Sequence, residues 1–374
     1  NVMKIEDRDN RFQIVWDLGR RCTYACTYCP PHRNNKTSPI VGFEDLKNSI
    51  GLVDDYISMY EEFRNKPYRI KSLSFTGGEP TIHPGFLKFG RYMKDHYDET
   101  YSLNMTTNGV FSMKQAKVYH EIFGGTISYH PEGKPREKQL AIDNIMVLAK
   151  KNRDGVKKFK VNVMFHKDYF QECIDLCDLL TKEGIKYIPR RIGDDGYNNK
   201  TSIEKGYTHI YNAEQEAYFD SYFGKGSRKG RMCCGGRDFC CDGKEGTTFV
   251  PSTNFYGYTC FVNWYFMYIN QETRDVYTHQ TCAVNLDNDI APMGTLDESD
   301  KIIERLEKHF YIDREMPVIT CPKTFCGCGM CIDKSHKQDD FSFSKVNLKY
   351  NEIKLPQNTQ YISIKDRMSE IDRI

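Results

Sequence analysis

With 374 residues, 39% of them hydrophobic and 28% charged, the chain is long enough for a large domain plus a smaller one and has the make-up of a packed protein, which excludes disorder. Its 53 basic and 51 acidic residues leave a net charge of +2, so nothing indicates a general electrostatic grip on nucleic acid or on an anionic membrane. Fifteen cysteines are an odd number in a chain too long for a small secreted disulfide scaffold, no apolar stretch approaches the roughly 20 residues of a membrane helix, and the opening NVMKIEDRDNRF lacks a signal-peptide pattern.

A reducing cytoplasm is the expected location, where clustered cysteines more often ligate metal or iron-sulfur groups than pair as disulfides. Along the chain, residues 12–16 read as a strand that runs straight into a cysteine-rich loop, and residues 43–59 as a helix. Strand-like runs follow at 70–75, 101–106, 126–129, 159–165 and 186–192. Between them, helical stretches near 84–95, 113–123, 137–151 and 168–182 carry apolar residues at three- and four-residue spacing. Six β/α units predict a parallel sheet packed by helices, either an open doubly wound sheet or an incomplete barrel, with the chemistry beyond the C-terminal strand ends. After residue 192 the pattern breaks. The second half carries a hairpin, with FVNWYFMYI and VYTHQ flanking QETRD, then a helical stretch at 301–309 and the segment CPKTFCGCGMC.

The segment RRCTYACTYCPP sets Cys22, Cys26 and Cys29 in a CxxxCxxC array after the first strand. Three thiolates suit three of the four irons of a cubane cluster and leave one iron available to another ligand. A zinc site that borrows a fourth ligand such as His32 is the competing reading. The second strand ends in SFTGGEPTIHP, where Gly77 and Gly78 let the backbone approach a ligand closely and Glu79 offers a carboxylate. Later strands end in NMTTNG with Asn108, ISYHP with Ser128 and His130, KVNVMF with the polar Asn162, and IPRRIGD with Arg190 and Arg191. A guanidinium is well shaped for a carboxylate, although an exposed pair is an equal reading. Cys173 and Cys177, four apart on one helix face, read as core packing.

Taken together, the three cysteines and the Gly-Gly-Glu loop on the next strand resemble the radical S-adenosylmethionine superfamily. The resemblance implies a partial (β/α)6 TIM-type barrel and a [4Fe–4S] cluster on Cys22, Cys26 and Cys29. Its open iron would be chelated by S-adenosylmethionine, whose reductive cleavage gives a 5′-deoxyadenosyl radical that takes a hydrogen atom from the substrate. Tyr28 matches the aromatic of the family's cysteine motif. The loop of Gly77, Gly78, Glu79 and Pro80 matches the stretch that holds the methionine amino group, and Ser128 matches a position that contacts the ribose. Asn108, Asn162 and Arg191 are carried as further cofactor-binding candidates. The later cysteines resemble a SPASM or twitch extension, a smaller cysteine-rich α+β domain in which Cys260, Cys282, Cys328 and Cys331 would hold an auxiliary [4Fe–4S] cluster. Cys321 and Cys326 would hold a second one only with help from Cys233, Cys234, Cys240 or Cys241 in RMCCGGRDFCC, a segment in which Arg237 offers an anion contact.

The expected division is a barrel at 8–200, a bridge at 201–245, an auxiliary-cluster domain at 246–340 and a tail at 341–374. The resemblance implies a peptide substrate, to be crosslinked, oxidised or epimerised, and an external electron donor such as a flavodoxin or ferredoxin. No leader-peptide-binding domain is visible at the N-terminus, which keeps a small-molecule dehydrogenase or rearrangement enzyme as the second reading. A zinc-stabilised binding module without catalysis is the alternative of another class.

Overall fold

The computed structural model describes residues 11–29, 34–97, 100–149, 158–192, 209–223, 259–260, 262–279, 291–313, 319–320 and 334–335. Six parallel strands follow one another in space in the order of the chain: β1 (Arg11–Asp17), β2 (Ile70–Thr76), β3 (Tyr101–Thr107), β4 (Gly124–Tyr129), β5 (Phe159–Phe165) and β6 (Tyr187–Arg191). A doubly wound sheet would reverse its strand order partway. This sheet does not, so crossovers of the usual right-handed sense set every helix on one face and leave the other as the inside of a partial barrel. The crossovers are α1 (Phe43–Arg64), α2 (Pro84–Tyr97), α3 (Met113–Ile122), α4 (Pro135–Leu148) and α5 (Phe170–Lys182).

Alternation along the strands decides which side chains face the helices. Ile14 and Trp16 of β1, Leu73 and Phe75 of β2, and Val161, Val163 and Phe165 of β5 are buried in one core with the helices. The opposite row is short and polar at Ser74, Asn104, Thr126, Ser128 and Asn162. Closed barrels fill that space with branched apolar layers. Here small hydroxyls and amides leave it open. Local signals bound the helices: the Ser112 hydroxyl accepts from the Gln115 amide at the start of α3, and Asn65 adopts φ 49° at the end of α1.

The C-terminal half returns to the barrel. After α6 (Ala213–Phe223), β8 (Phe266–Asn270) pairs in parallel with the free edge of β1, and β9 (Asp275–Tyr277) and β10 (Gly294–Thr295) extend the sheet antiparallel to nine strands. The hairpin expected inside a separate cysteine-rich domain is therefore part of the barrel sheet, where it covers an edge that would otherwise expose unpaired backbone. α7 (Ser299–Glu307) lies against α1, and Phe310 just beyond it stacks on Phe63 at 4.2 Å. A second sheet of three strands sets β7 (Thr259–Cys260) between β11 (Ile319–Thr320) and β12 (Lys334–Ser335). No described helix is long and apolar enough to cross a membrane.

Candidate active site

The loop after β1 brings Cys22, Cys26 and Cys29 into one small cluster with Tyr24, Tyr28, Ile192, Val110 and Met164, at the C-terminal ends of the strands. Cys26 is 8% exposed. The turn is fixed by the backbone: Cys29 N donates to Cys26 O at 3.1 Å and Cys22 N to Asn35 O at 3.1 Å. Burial pushes the Cys22 thiol up and the Cys26 thiol to about 12, so binding of iron must displace a proton from each.

Gly77 and Gly78 do not open a path to a ligand so much as let two loops touch. Gly77 has φ +127°, and a Cβ there would lie 2.5 Å from the Gly19 carbonyl oxygen; a Cβ on Gly78 would overlap the Arg21 carbonyl. In that contact Gly78 N donates to Gly19 O at 2.7 Å and Glu79 N to Arg21 O at 2.9 Å. The Glu79 carboxylate is buried. Its Oε1 accepts from Thr81 N at 3.1 Å, Thr81 Oγ1 at 2.7 Å and Thr107 Oγ1 at 2.7 Å, while Oε2 accepts from Asn108 N at 2.7 Å. Burial raises its pKa and those four donors lower it. Three of these donors crowd Oε1 and one reaches Oε2, which keeps an acceptor site, so the residue expected to meet the cofactor also ties the ends of β2 and β3 together. Pro80 opens the short 3-10 turn that Glu79 caps.

Asn108 reaches the cysteine loop. Its Nδ2 donates to Thr23 Oγ1 at 2.8 Å and lies 3.8 Å from Cys22 Sγ, while its Oδ1 accepts from Val110 N. Ser128 and Asn162 are register partners on β4 and β5 and share the concave face. The Arg190 Nε donates to Asn162 Oδ1 at 3.1 Å, which puts Arg190 on that face too. Arg191 consequently faces the other way. It makes a bidentate pair with Glu216 of α6 and lies over the Tyr211 and Phe219 rings. Of the arginine pair, Arg190 and not Arg191 reaches the open side of the sheet, because neighbouring strand residues point to opposite faces.

Three histidines that follow different strands meet at Tyr28. The Tyr28 hydroxyl bonds His130 Nδ1, and the Tyr28 ring lies 5.9 Å from His130, 6.0 Å from His166 and 5.9 Å from His209. His166 Nε2 lies 3.7 Å from Glu132 Oε1, and Glu132 accepts from the amide and hydroxyl of Thr27. Burial pushes His130 and His209 down to about 4 and lowers His166. These rings are neutral near pH 7 and add donors and acceptors around Tyr28 without adding charge. Nothing local in the sequence marks His166, His209 or Glu132; the strand order alone brings them together.

Cys260 is buried on β7, with Ile319 of β11 and Lys334 of β12 as its register partners. Cys282, Cys321, Cys326, Cys328 and Cys331 lie outside the described residues, as do His32, Arg237 and the cysteines of RMCCGGRDFCC. Cys173 and Cys177 belong to the main core.

The sequence profile of the Radical SAM superfamily matches residues 16–200, from β1 to just past β6. Residues 16–200 thus match a radical SAM domain, and that family implies an enzyme with a [4Fe–4S] cluster and S-adenosylmethionine as its cofactors. Similar solved structures include Streptococcus suis SuiB bound to the precursor peptide SuiA, 16% identical, with 79% of this chain and 66% of that chain covered and a TM-score of 0.45. Another is anSMEcpe with bound AdoMet and the Cp18Cys peptide, at 15% identity over 83% of this chain and 84% of that one, TM-score 0.42. A third is BtrN in complex with AdoMet and 2-DOIA, at 12% identity over 80% and 86%, TM-score 0.36. The chain spans just under two thirds of the length of SuiB. No curated protein matches the sequence.

The residues present fit the implied cluster. Buried Cys26 and partly buried Cys22 and Cys29 lie in one cluster at the strand ends, and three thiolates are what a cubane with one open iron takes from the protein.

Proposed function

We propose that the chain is a radical SAM enzyme in which Cys22, Cys26 and Cys29 hold the cluster and the polar face of the barrel receives cofactor and substrate. When bound, the cluster and S-adenosylmethionine supply a 5′-deoxyadenosyl radical able to take a hydrogen atom from the substrate. The observation that carries this reading is the gathering of buried Cys26 with partly buried Cys22 and Cys29 at the strand ends, under a Gly-Gly-Glu loop hydrogen-bonded to their own loop. The residues then divide the work. Tyr28 and the neutral histidines wall one side, Asn108 orients the Cys22 end, and Ser128, Asn162 and Arg190 present a hydroxyl, an amide and a cation to polar groups of the ligands.

The substrate we infer is a peptide side chain or backbone, the class found in the SuiB and anSMEcpe complexes. The short hydroxyl and amide side chains of the concave face favour a second reading, a polar small molecule. We further infer an auxiliary cluster on Cys260 with Cys282, Cys328 and Cys331; a second on Cys321 and Cys326 would need help from Cys233, Cys234, Cys240 or Cys241. In support, the strands that bracket CPKTFCGCGMC in sequence both pair with the strand that carries Cys260.

The test is anaerobic reconstitution with iron and sulfide, reduction in the presence of S-adenosylmethionine, and detection of 5′-deoxyadenosine. The wild type should release it and Cys26→Ala should not. Equal release by both proteins would sink the assignment.

A further inference from the structure

Between β1 and Cys22 the chain passes through Leu18, Gly19, Arg20 and Arg21, and this short return is held from two sides. On one side lies the Gly77–Glu79 loop described above. On the other lies Glu272, in the turn between β8 and β9. Its Oε1 accepts from Arg20 Nη2 at 2.6 Å and from Arg20 Nε at 3.1 Å; its Oε2 accepts from the Arg20 backbone N–H at 3.0 Å and from Ser38 Oγ at 2.9 Å. The Arg20 guanidinium holds the Glu272 carboxyl below its ordinary range. Gly19, at φ +101°, lies so close that an added Cβ would stand 3.2 Å from Glu272 Oε2.

The rest of the turn grips the end of β1. Gln271 N donates to Asp17 O at 2.8 Å, Gln271 Oε1 accepts from Trp16 Nε1 at 2.9 Å, and the Tyr268 hydroxyl donates to Asp17 Oδ2 at 2.9 Å. Asp17 Oδ1 in turn accepts from Gly19 N at 2.8 Å. A surface ion pair alone would contribute little. This one is different because a single carboxylate with a largely covered side chain takes four donors, one of them the backbone N–H two residues before Cys22.

On the radical SAM reading, we propose that Glu272 is a positioning residue for the cluster loop: it sets the path of residues 19–21, and through them the placing of Cys22 against Asn108 and the Gly-Gly-Glu loop. The hairpin of β8 and β9 thereby acts on the cluster loop through hydrogen bonds.

The experiment uses the full chain, reconstituted, as wild type, Glu272→Ala and Glu272→Gln. Two readouts are taken: hydrogen exchange of residues 18–29 against that of α3 and α5, and the Kd for S-adenosylmethionine from its perturbation of the reduced cluster's electron paramagnetic resonance spectrum. In Glu272→Ala, exchange should rise in 18–29 while the helices keep wild-type protection, and the Kd should rise by about tenfold, the scale of lost hydrogen bonds to a charged group. Glu272→Gln, which keeps an acceptor oxygen, should fall between. If the alanine variant fails to fold, the glutamine variant decides by the same readouts. Wild-type exchange and affinity in the folded variants would overturn the proposal. A wild type that binds no S-adenosylmethionine would overturn the radical reading instead, and the exchange comparison would still judge Glu272.

Discussion

His83 caps the end of the 3-10 turn Pro80–Ile82, 2% exposed, with its Nδ1 accepting from Val41 N at 3.0 Å and its Nε2 buried without a hydrogen-bond partner. Burial, and after it the charge of Arg21, lowers its pKa to about 4. The unfolded chain takes up that proton near pH 6.5 and the folded chain only near 4, so the neutral ring contributes its full stability above pH 6.5 and loses it as pH falls towards 4. The loss is on the order of 3 kcal/mol. Denaturation midpoints measured from pH 7.5 to 4.5 should therefore fall more gently in His83→Asn, whose amide oxygen can still accept from Val41. Parallel pH profiles for the two proteins would contradict this. At this scale the sequence was legible where a residue type has one use: Cys22, Cys26, Cys29, Tyr28 and Asn108 all lie in or beside the site. It was not legible where facing decides. Arg190 and Arg191 are adjacent and chemically identical, and only the register with Asn162 separates them. Glu79 reads as a ligand from its motif, and its anchoring by Thr81, Thr107 and Asn108 depends on how the ends of β2 and β3 meet.

The strands and helices of the barrel were legible mostly to within two or three residues, because each carries a strong period, although α1 runs to Arg64 and not to residue 59. β5 occupies residues 159–165 as read, and α2 and α3 begin at Pro84 and Met113 as read. The hairpin was legible as a hairpin, with its turn at QETRD, but not as a neighbour of β1. No local pattern states that a strand some 250 residues later will fill a free edge, which is a demand of the whole sheet. The spacing of Cys173 and Cys177 on α5 gives a prediction at the same scale. Both are buried in the core, and burial pushes both thiols up to about 12, so they pack as small apolar groups. Cys177→Ala should lose about 1 kcal/mol of stability in a denaturant titration and keep all its iron after reconstitution. Loss of iron in that variant would place α5 in a cluster site and contradict the packing role.

For the molecule as a whole, the barrel strands and β8–β10 form one continuous sheet, and the turn at Glu272 joins that C-terminal hairpin to the loop of the first three cysteines. A second sheet carries Cys260 between the strands that bracket the last cysteines. The radical SAM reading rests on Cys22, Cys26 and Cys29. Its most direct measurement is the low-temperature electron paramagnetic resonance spectrum of the reduced, reconstituted protein, recorded with and without S-adenosylmethionine, for the wild type and for the triple variant with alanine at those three positions. The wild type should show a reduced [4Fe–4S] signal that changes on addition of the cofactor, and the triple variant should lack the part that responds. A wild type loaded with zinc and free of iron, or a cofactor response that survives in the triple variant, would contradict the claim.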